Sequence, residues 1–209
     1  MKNPWEAISL EVYEQHMQLD SVRQLQTLNA LMKQQLEAYP AETAVILGVA
    51  GGNGLEHINR AQYRAVYGVD INEEYLQAVS ARYPQLSDVL HCLHLDLITD
   101  AEKLPAAELV IADLLIEYIG CTAFQKAIVQ IAPEYVSCVI QINSDAEQWV
   151  SDSPYLHAFD GLDAVHHQMS EQALTAAMSA IGYSAAAQMT VPLPNGKVLV
   201  RLDYRKVSG

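Results

Sequence analysis

Five short apolar runs, each closed by a glycine turn, a carboxylate or an amide, constrain this chain more than any other feature. Ala44-Val45-Ile46-Leu47 passes into glycines, residues 65–69 end at Asp70, 89–95 at Asp96, 109–112 at Asp113 and 136–142 at Asn143. A short continuous apolar run is the pattern of a strand buried on both faces, as in a parallel sheet. Helical segments are expected between the runs, over 55–62, over 73–82 before Pro84 and over 117–131 before Pro133. Such alternation predicts an α/β fold, an open, mostly parallel sheet with helices on both faces and right-handed crossovers. Ligands of such sheets bind beyond the carboxyl ends of the strands. The five run-closing residues should therefore meet on one edge.

The flanks read differently. Leu19, Val22, Leu25, Leu28, Leu31, Met32 and Leu36 recur at helical steps, with Asp20 or Ser21 as cap and Pro40 as stop. A shorter helix is expected around residues 5–17. Residues 1–40 are thus expected to form a helical cap, and 41–209 the main domain. Residues 144–168 are rich in Asp, Ser and His and weakly periodic, and a loop of that length usually serves as a lid or binding segment. A helix over 170–181 follows. Strands over 183–191 and 198–204, joined by the turn Pro192-Leu193-Pro194-Asn195-Gly196, read as an antiparallel hairpin.

Composition narrows the function classes. With 209 residues, 51% hydrophobic and 18% charged, the chain can bury one α/β core with a modest extension. No apolar run approaches the roughly 18 residues of a membrane span, and the first residues lack the apolar core of a signal peptide, so a cytoplasmic protein without membrane contact is expected. Twelve Lys and Arg against 25 Asp and Glu give a net charge of −13, which repels phosphate backbones and argues against nucleic acid. Cys92, Cys121 and Cys138, widely spaced among apolar residues, read as buried free thiols. The histidines offer no metal-ligand spacing, and no metal is expected.

The chemistry is concentrated in Gly48-Val49-Ala50-Gly51-Gly52-Asn53-Gly54. Residues without side chains let a ligand approach the backbone, and a following helix would offer free N–H groups to an anion. The turn lacks the G-x-G-x-x-G spacing of nicotinamide-binding proteins, because position 57 is His in the best alignment. Asp70, at the end of the second run, is placed to accept both hydroxyls of a ribose. Asp96 is placed to meet an adenine amino group. Asp113 closes the fourth run, and for Asp70 and Asp96 the plainer alternative is a cap on the next element.

Taken with Tyr67-Gly68-Val69-Asp70-Ile71-Asn72, His94-Leu95-Asp96-Leu97 and residues 109–118, the turn makes residues 43–206 resemble the class I S-adenosylmethionine (SAM)-dependent methyltransferases. Residues 114–120 with Ser151-Asp152-Ser153-Pro154-Tyr155 are similar to a bacterial branch of methyltransferase-like proteins. The resemblance implies a Rossmann-like seven-stranded sheet with an antiparallel last strand. It also implies SAM held by Gly48, Val49, Ala50, Gly51, Gly52, Asn53, Gly54, Asp70, Ile71, Asn72, Asp96, Leu97 and Asp113, with the methionine carboxylate at the glycine turn. Two positions depart from the family pattern. Gly48 stands where an acidic residue usually helps hold the methionine amino group, and Ala50 stands where a glycine is usual. The fourth-run motif is also not the Asn/Asp-Pro-Pro-Tyr/Phe pattern of enzymes that methylate planar nitrogens. A small-molecule acceptor is the expected partner, with Tyr13, Glu117, Tyr118, Tyr155 and His157 lining its pocket and Asp113 or His16 as catalytic base. The second functional class is a SAM-binding regulatory or structural domain without transferase activity. The apolar N-terminal helix leaves room for a homodimer.

Overall fold

The computed structural model describes residues 3–143 and 149–207. Two helices, α1 (Leu10–Gln18) and α2 (Gln24–Glu37), precede the alternating β1 (Thr43–Leu47), β2 (Ala65–Asp70), α3 (Glu73–Arg82), β3 (Leu90–His94), β4 (Leu109–Asp113), α4 (Ile116–Ile131) and β5 (Tyr135–Ile142). Helix α5 (Glu171–Ala180) and the strands β6 (Tyr183–Pro192) and β7 (Val198–Lys206) follow. The seven strands form one sheet in the order β3-β2-β1-β4-β5-β7-β6. The first five strands are parallel, and β7 runs antiparallel to both β5 and β6. The Rossmann-like sheet expected from the alternation, with its antiparallel last strand, is the one observed.

The two-residue period of the strands divides the core. Val45 and Leu47 of β1, with Val110 and Ala112 of β4, face Phe124, Ile128 and Ile131 of α4 and Leu174 and Met178 of α5. Ala44 and Ile46, with Leu109 and Ile111, face Met32 and Leu36 of α2 and Leu76 and Val79 of α3. Both faces are therefore covered, and the apolar runs are continuous for that reason. Among the described residues no helix is long and apolar enough to cross a membrane. All three cysteines are free, but only Cys138 is fully buried, while Cys92 and Cys121 are half-buried.

Four elements differ from expectation. The glycine turn is followed by a single 3-10 turn, Leu55–His57, not by an α-helix over 55–62. Side chains of that segment are claimed by α2: Asn53 Nδ2 donates to the Leu25 carbonyl, and Asn29 bonds Asn53, Glu56 and His57. Helix α2 begins at Gln24 because the N–H groups of Val22 and Arg23 fold back onto the Leu19 carbonyl, and Val22 is buried in that turn. Neither Asp20 nor Ser21 caps it; Arg23, at φ 52°, is the N-cap. The segment before α1 is a 3-10 turn, Pro4–Ala7, closed by a reciprocal capping box between Asn3 and Glu6. Part of the long loop is itself folded as the 3-10 stretch Leu156–Ala164, and residues 144–148 lie outside the described residues.

Candidate functional site

The register brings the run-closing residues together. Leu47 pairs with Val69 on one side and Ala112 on the other, so Gly48, Asp70 and Asp113 lie side by side one step beyond. A cleft of about 730 Å³, mouth included, opens over them. Gly48, Ala50, Asp70, Ile71, Asp96, Leu97 and Asp113 line it, with Asn3, Trp5, Tyr13 and Tyr118 on the opposite wall.

Asp70 organises the near wall. Its Oδ2 accepts the Ala50 N–H and its Oδ1 the Asn72 N–H, both at 2.9 Å. Burial pushes its carboxyl up, against the pull of those backbone donors. The Ile71 N–H also acts on it; a carboxylate has roughly four acceptor positions, so about one remains for a ligand. Asn72 points elsewhere, capping α3 at the N–H groups of Glu74 and Tyr75 and donating to the Trp5 carbonyl. Asp96 is half-buried and accepts the Ile98 N–H at 2.9 Å.

The glycine turn divides in two. Val49, Gly51 and Asn53, together with Gly48, Ala50, Tyr13 and Asp113, line a side cleft beneath α1 and α2. Gly52 and Gly54 line none of the clefts described here. A Cβ on Gly54 would stand 2.6 Å from Met32 Cγ, and one on Gly52 2.9 Å from the Tyr83 ring. These two glycines are required by the chain's own packing. Gly51 lies beneath the ion pair of Arg82 and Glu14, and Arg82 also donates to its carbonyl at 2.9 Å. The α-helix that was to present N–H groups to an anion is absent. The methionine carboxylate expected at this turn has no helix N-terminus to meet there.

Asp113 is the least satisfied group of the first cleft. Its Oδ1 accepts from Gln35 Nε2 at 2.8 Å, and its Oδ2 is buried without a hydrogen-bond partner. Burial pushes the carboxyl up to about 7, opposed by the Gln35 bond and the Arg201 charge. Arg201 itself is committed to Asp203, at 2.8 and 2.6 Å. The Tyr13 phenol is pushed up by burial and then by the charges of Asp70, Glu14 and Asp113, so it stays protonated.

A second cleft adjoins the first and shares Trp5, Tyr13, Leu114 and Tyr118 with it. Leu114 holds φ 52°, a left-handed conformation that a bulky residue adopts at a cost. His16, Glu117, Trp149, Phe159 and His166 line its far side. His16 is buried, contacts Ser153 Oγ through Nδ1 at 2.7 Å, and is pushed down to about 4 by burial and the Lys197 charge. Tyr155 and His157 are not brought to either cleft. Tyr155 packs beside Ile8, Phe159 and Leu162, and His157 is exposed against Asp160 at the outer surface.

Sequence reasoning missed Gln35 and most of the aromatic wall. Gln35, fully buried, sits on the apolar stripe of α2, where a polar residue needs a partner. Trp5 and Trp149 are the only tryptophans of the chain, and both line the second cleft. Large aromatics in polar segments are the signal that would have found them.

No protein-family model matches the sequence, and no curated protein is significantly similar to it. Solved structures share its fold at low identity. Magnesium protoporphyrin IX methyltransferase (ChlM) from Synechocystis PCC 6803, with bound S-adenosylhomocysteine (SAH), is similar at TM-score 0.71 and 12% identity, over 98% of this chain and 97% of that one. The N-methyltransferase NodS from Bradyrhizobium japonicum WM9, also with SAH, is similar at TM-score 0.65 and 11% identity, over 95% and 98%. The [4+2]-cyclase SpnF is similar at TM-score 0.67 and 11% identity, over 90% and 84%. In strand order, antiparallel last strand and extent, the chain has the Rossmann-like fold of the class I SAM-dependent methyltransferases.

Proposed function

We propose that the chain is a cytoplasmic SAM-dependent methyltransferase with a small-molecule acceptor. The observation that carries the reading is the convergence of Asp70, Asp96 and Asp113 on one cleft beside Gly48, with a buried acceptor atom of Asp113 unpartnered there. An orphaned buried carboxylate oxygen is costly unless a donor arrives, and an ammonium group is such a donor. Asp113, on the neighbouring strand, therefore takes the place of the acid that Gly48 lacks and holds the methionine ammonium. Asp70 receives the ribose hydroxyls, and Asp96 with Leu97 bounds the adenine. Ile71 and the backbone of Gly48 and Ala50 border the nucleoside. Val49, Gly51 and Asn53 border the methionine end, while Gly52, Gly54 and Asn72 fix the loop that carries them. Residues 1–40 act as a cap, because Trp5, Tyr13 and Gln35 all reach the site.

Bound SAM supplies a methyl group already electrophilic on its sulfonium. The chain has to align the nucleophile and exclude water. The two clefts meet at their shared residues Trp5, Tyr13, Leu114 and Tyr118, so the acceptor enters from the second cleft. Glu117, His16 and His166 are groups there that can take a proton; His16, held neutral, has one nitrogen already engaged by Ser153. Tyr13 and Tyr118 pack against the acceptor.

Calorimetry tests the reading. SAH is expected to bind one to one, and Asp70→Asn to weaken it by about 10- to 100-fold, the worth of charge-assisted hydrogen bonds. Neither SAM nor SAH binding at about 1 mM would refute it. The alternative is a SAM-binding regulatory or structural domain without transferase activity; the cyclase among the fold relatives is a reminder that this fold also carries other activities. Tight binding of SAM with no acceptor turned over would support that alternative.

A further inference from the structure

The second cleft contains its own unanswered acceptor. Glu117 is 4% exposed, its Oε1 accepts the Gln141 N–H at 2.8 Å, and its Oε2 is buried without a hydrogen-bond partner. The same cleft is lined by the rings of Trp5, Tyr13, Tyr118, Trp149, Phe159 and His166. Tyr118 meets Trp5 edge to face at 4.9 Å and Trp149 at 6.1 Å, and His166 stacks on Trp149 at 4.0 Å. The nearby Lys197 donates to Asn143 Oδ1 at 3.2 Å and to the Trp149 carbonyl.

We propose that the methyl acceptor is an amine with an apolar or aromatic body, bound as its ammonium between Glu117 Oε2 and the rings of Tyr118 and Trp149. The inference rests on the methyltransferase reading of the adjoining cleft. Aromatic faces attract a cation through their quadrupole, and a desolvated carboxylate adds a charge-assisted hydrogen bond. A carboxylic acceptor would bring like charge against Glu117, and a neutral alcohol would leave that charge uncompensated. The same carboxylate provides for the proton. An ammonium has no lone pair, so it must lose a proton before it can react. Glu117, the carboxylate in contact with the ammonium and with an oxygen free of other partners, accepts that proton. The nitrogen lone pair then forms the bond to the methyl carbon as the sulfur–carbon bond breaks, its electrons staying on sulfur. The positive charge passes to the methylated nitrogen, which leaves as an ammonium, and the proton on Glu117 returns to solvent.

Three probes that share one phenethyl body separate the possibilities: phenethylamine, 2-phenylethanol and 3-phenylpropanoate. Each is titrated by calorimetry into the full chain, with and without saturating SAH. The amine is expected to bind at least about tenfold more tightly than either of the others. Glu117→Gln keeps the acceptor for the Gln141 N–H and should abolish that preference in a protein that still binds SAH. Trp149→Leu should weaken the amine more than the alcohol. The proposal is overturned if the alcohol or the carboxylate binds as tightly as the amine, if no amine binding is seen at about 10 mM, or if Glu117→Gln retains the preference. If SAH fails to bind while the amine preference is present, the SAM reading falls and the amine site stands.

Discussion

At Ala50 the chain keeps a methyl where the backbone is left-handed, at φ 45°. The conformation costs an L-residue about 1–2 kcal/mol, and the Asp70 bond to the Ala50 N–H holds it in place. Glycine removes the strain but frees the unfolded chain, so Ala50→Gly should stabilise by about 0.5–1 kcal/mol net. Chemical denaturation would show it as a raised midpoint; a lowered one would mean that the alanine methyl packs usefully. The residues of this wall were legible in the sequence because their signals are local. Gly48, Asp70, Asp96 and Asp113 each follow an apolar run, and strand-end position alone brings them together. Gln35 was not legible, because its partner Asp113 lies 78 positions away and only the fold joins them.

The strands and long helices were also legible, since burial on both faces of a parallel sheet writes itself as uninterrupted apolar sequence. The elements misread were those decided by polar contacts with distant segments. Residues 55–62 have no pattern that forbids a helix; Asn29 of α2 wins their side chains. Helix α4 shows the same limit. Its periodicity runs through Gly120, yet Gly120 holds φ 73° and ψ 161°, a region open in practice only to glycine. The break sets the first turn, with Glu117 and Tyr118, apart from the rest of the helix. A Cβ at Gly120 would have room, its nearest neighbour being His167 at 3.7 Å, so the cost of Gly120→Ala is one of backbone conformation. That substitution should destabilise by about 1–3 kcal/mol and reduce acceptor turnover more than SAH affinity. Equal losses in both would place the break outside the acceptor site's geometry. The acceptor cleft as a whole was not legible because Trp5, Glu117, Trp149 and His166 come from separate segments.

Over the whole molecule, a net charge of −13 is carried while burial raises the carboxyls of Asp70, Asp113 and Glu117, the last two to about 7. Asp113 and Glu117 have folded-state values near 7, above their unfolded values near 4. The folded state then holds protons that the unfolded chain releases. Their contribution to stability is complete below about pH 4 and is lost as pH rises to about 7. Ligand-free protein should accordingly lose stability across that window, and Asp113→Asn, which keeps an acceptor for Gln35, should flatten the loss. Binding reverses the logic. Gln35, Tyr13, Arg201, Asp203, Glu117, Cys138 and the Val139 N–H act on or face Asp113, and its Oδ2 has no hydrogen-bond partner. A methionine ammonium placed there lowers the Asp113 pKa and expels its proton. SAH affinity should therefore rise with pH up to about 7 and level off above it while the ligand's ammonium stays charged. Calorimetry at pH 6.5 in buffers of different ionisation enthalpy would register the released proton. Asp113→Asn should abolish the release and weaken SAH about tenfold or more; release that survives the substitution would assign the proton, and the contact with the ammonium, to another group.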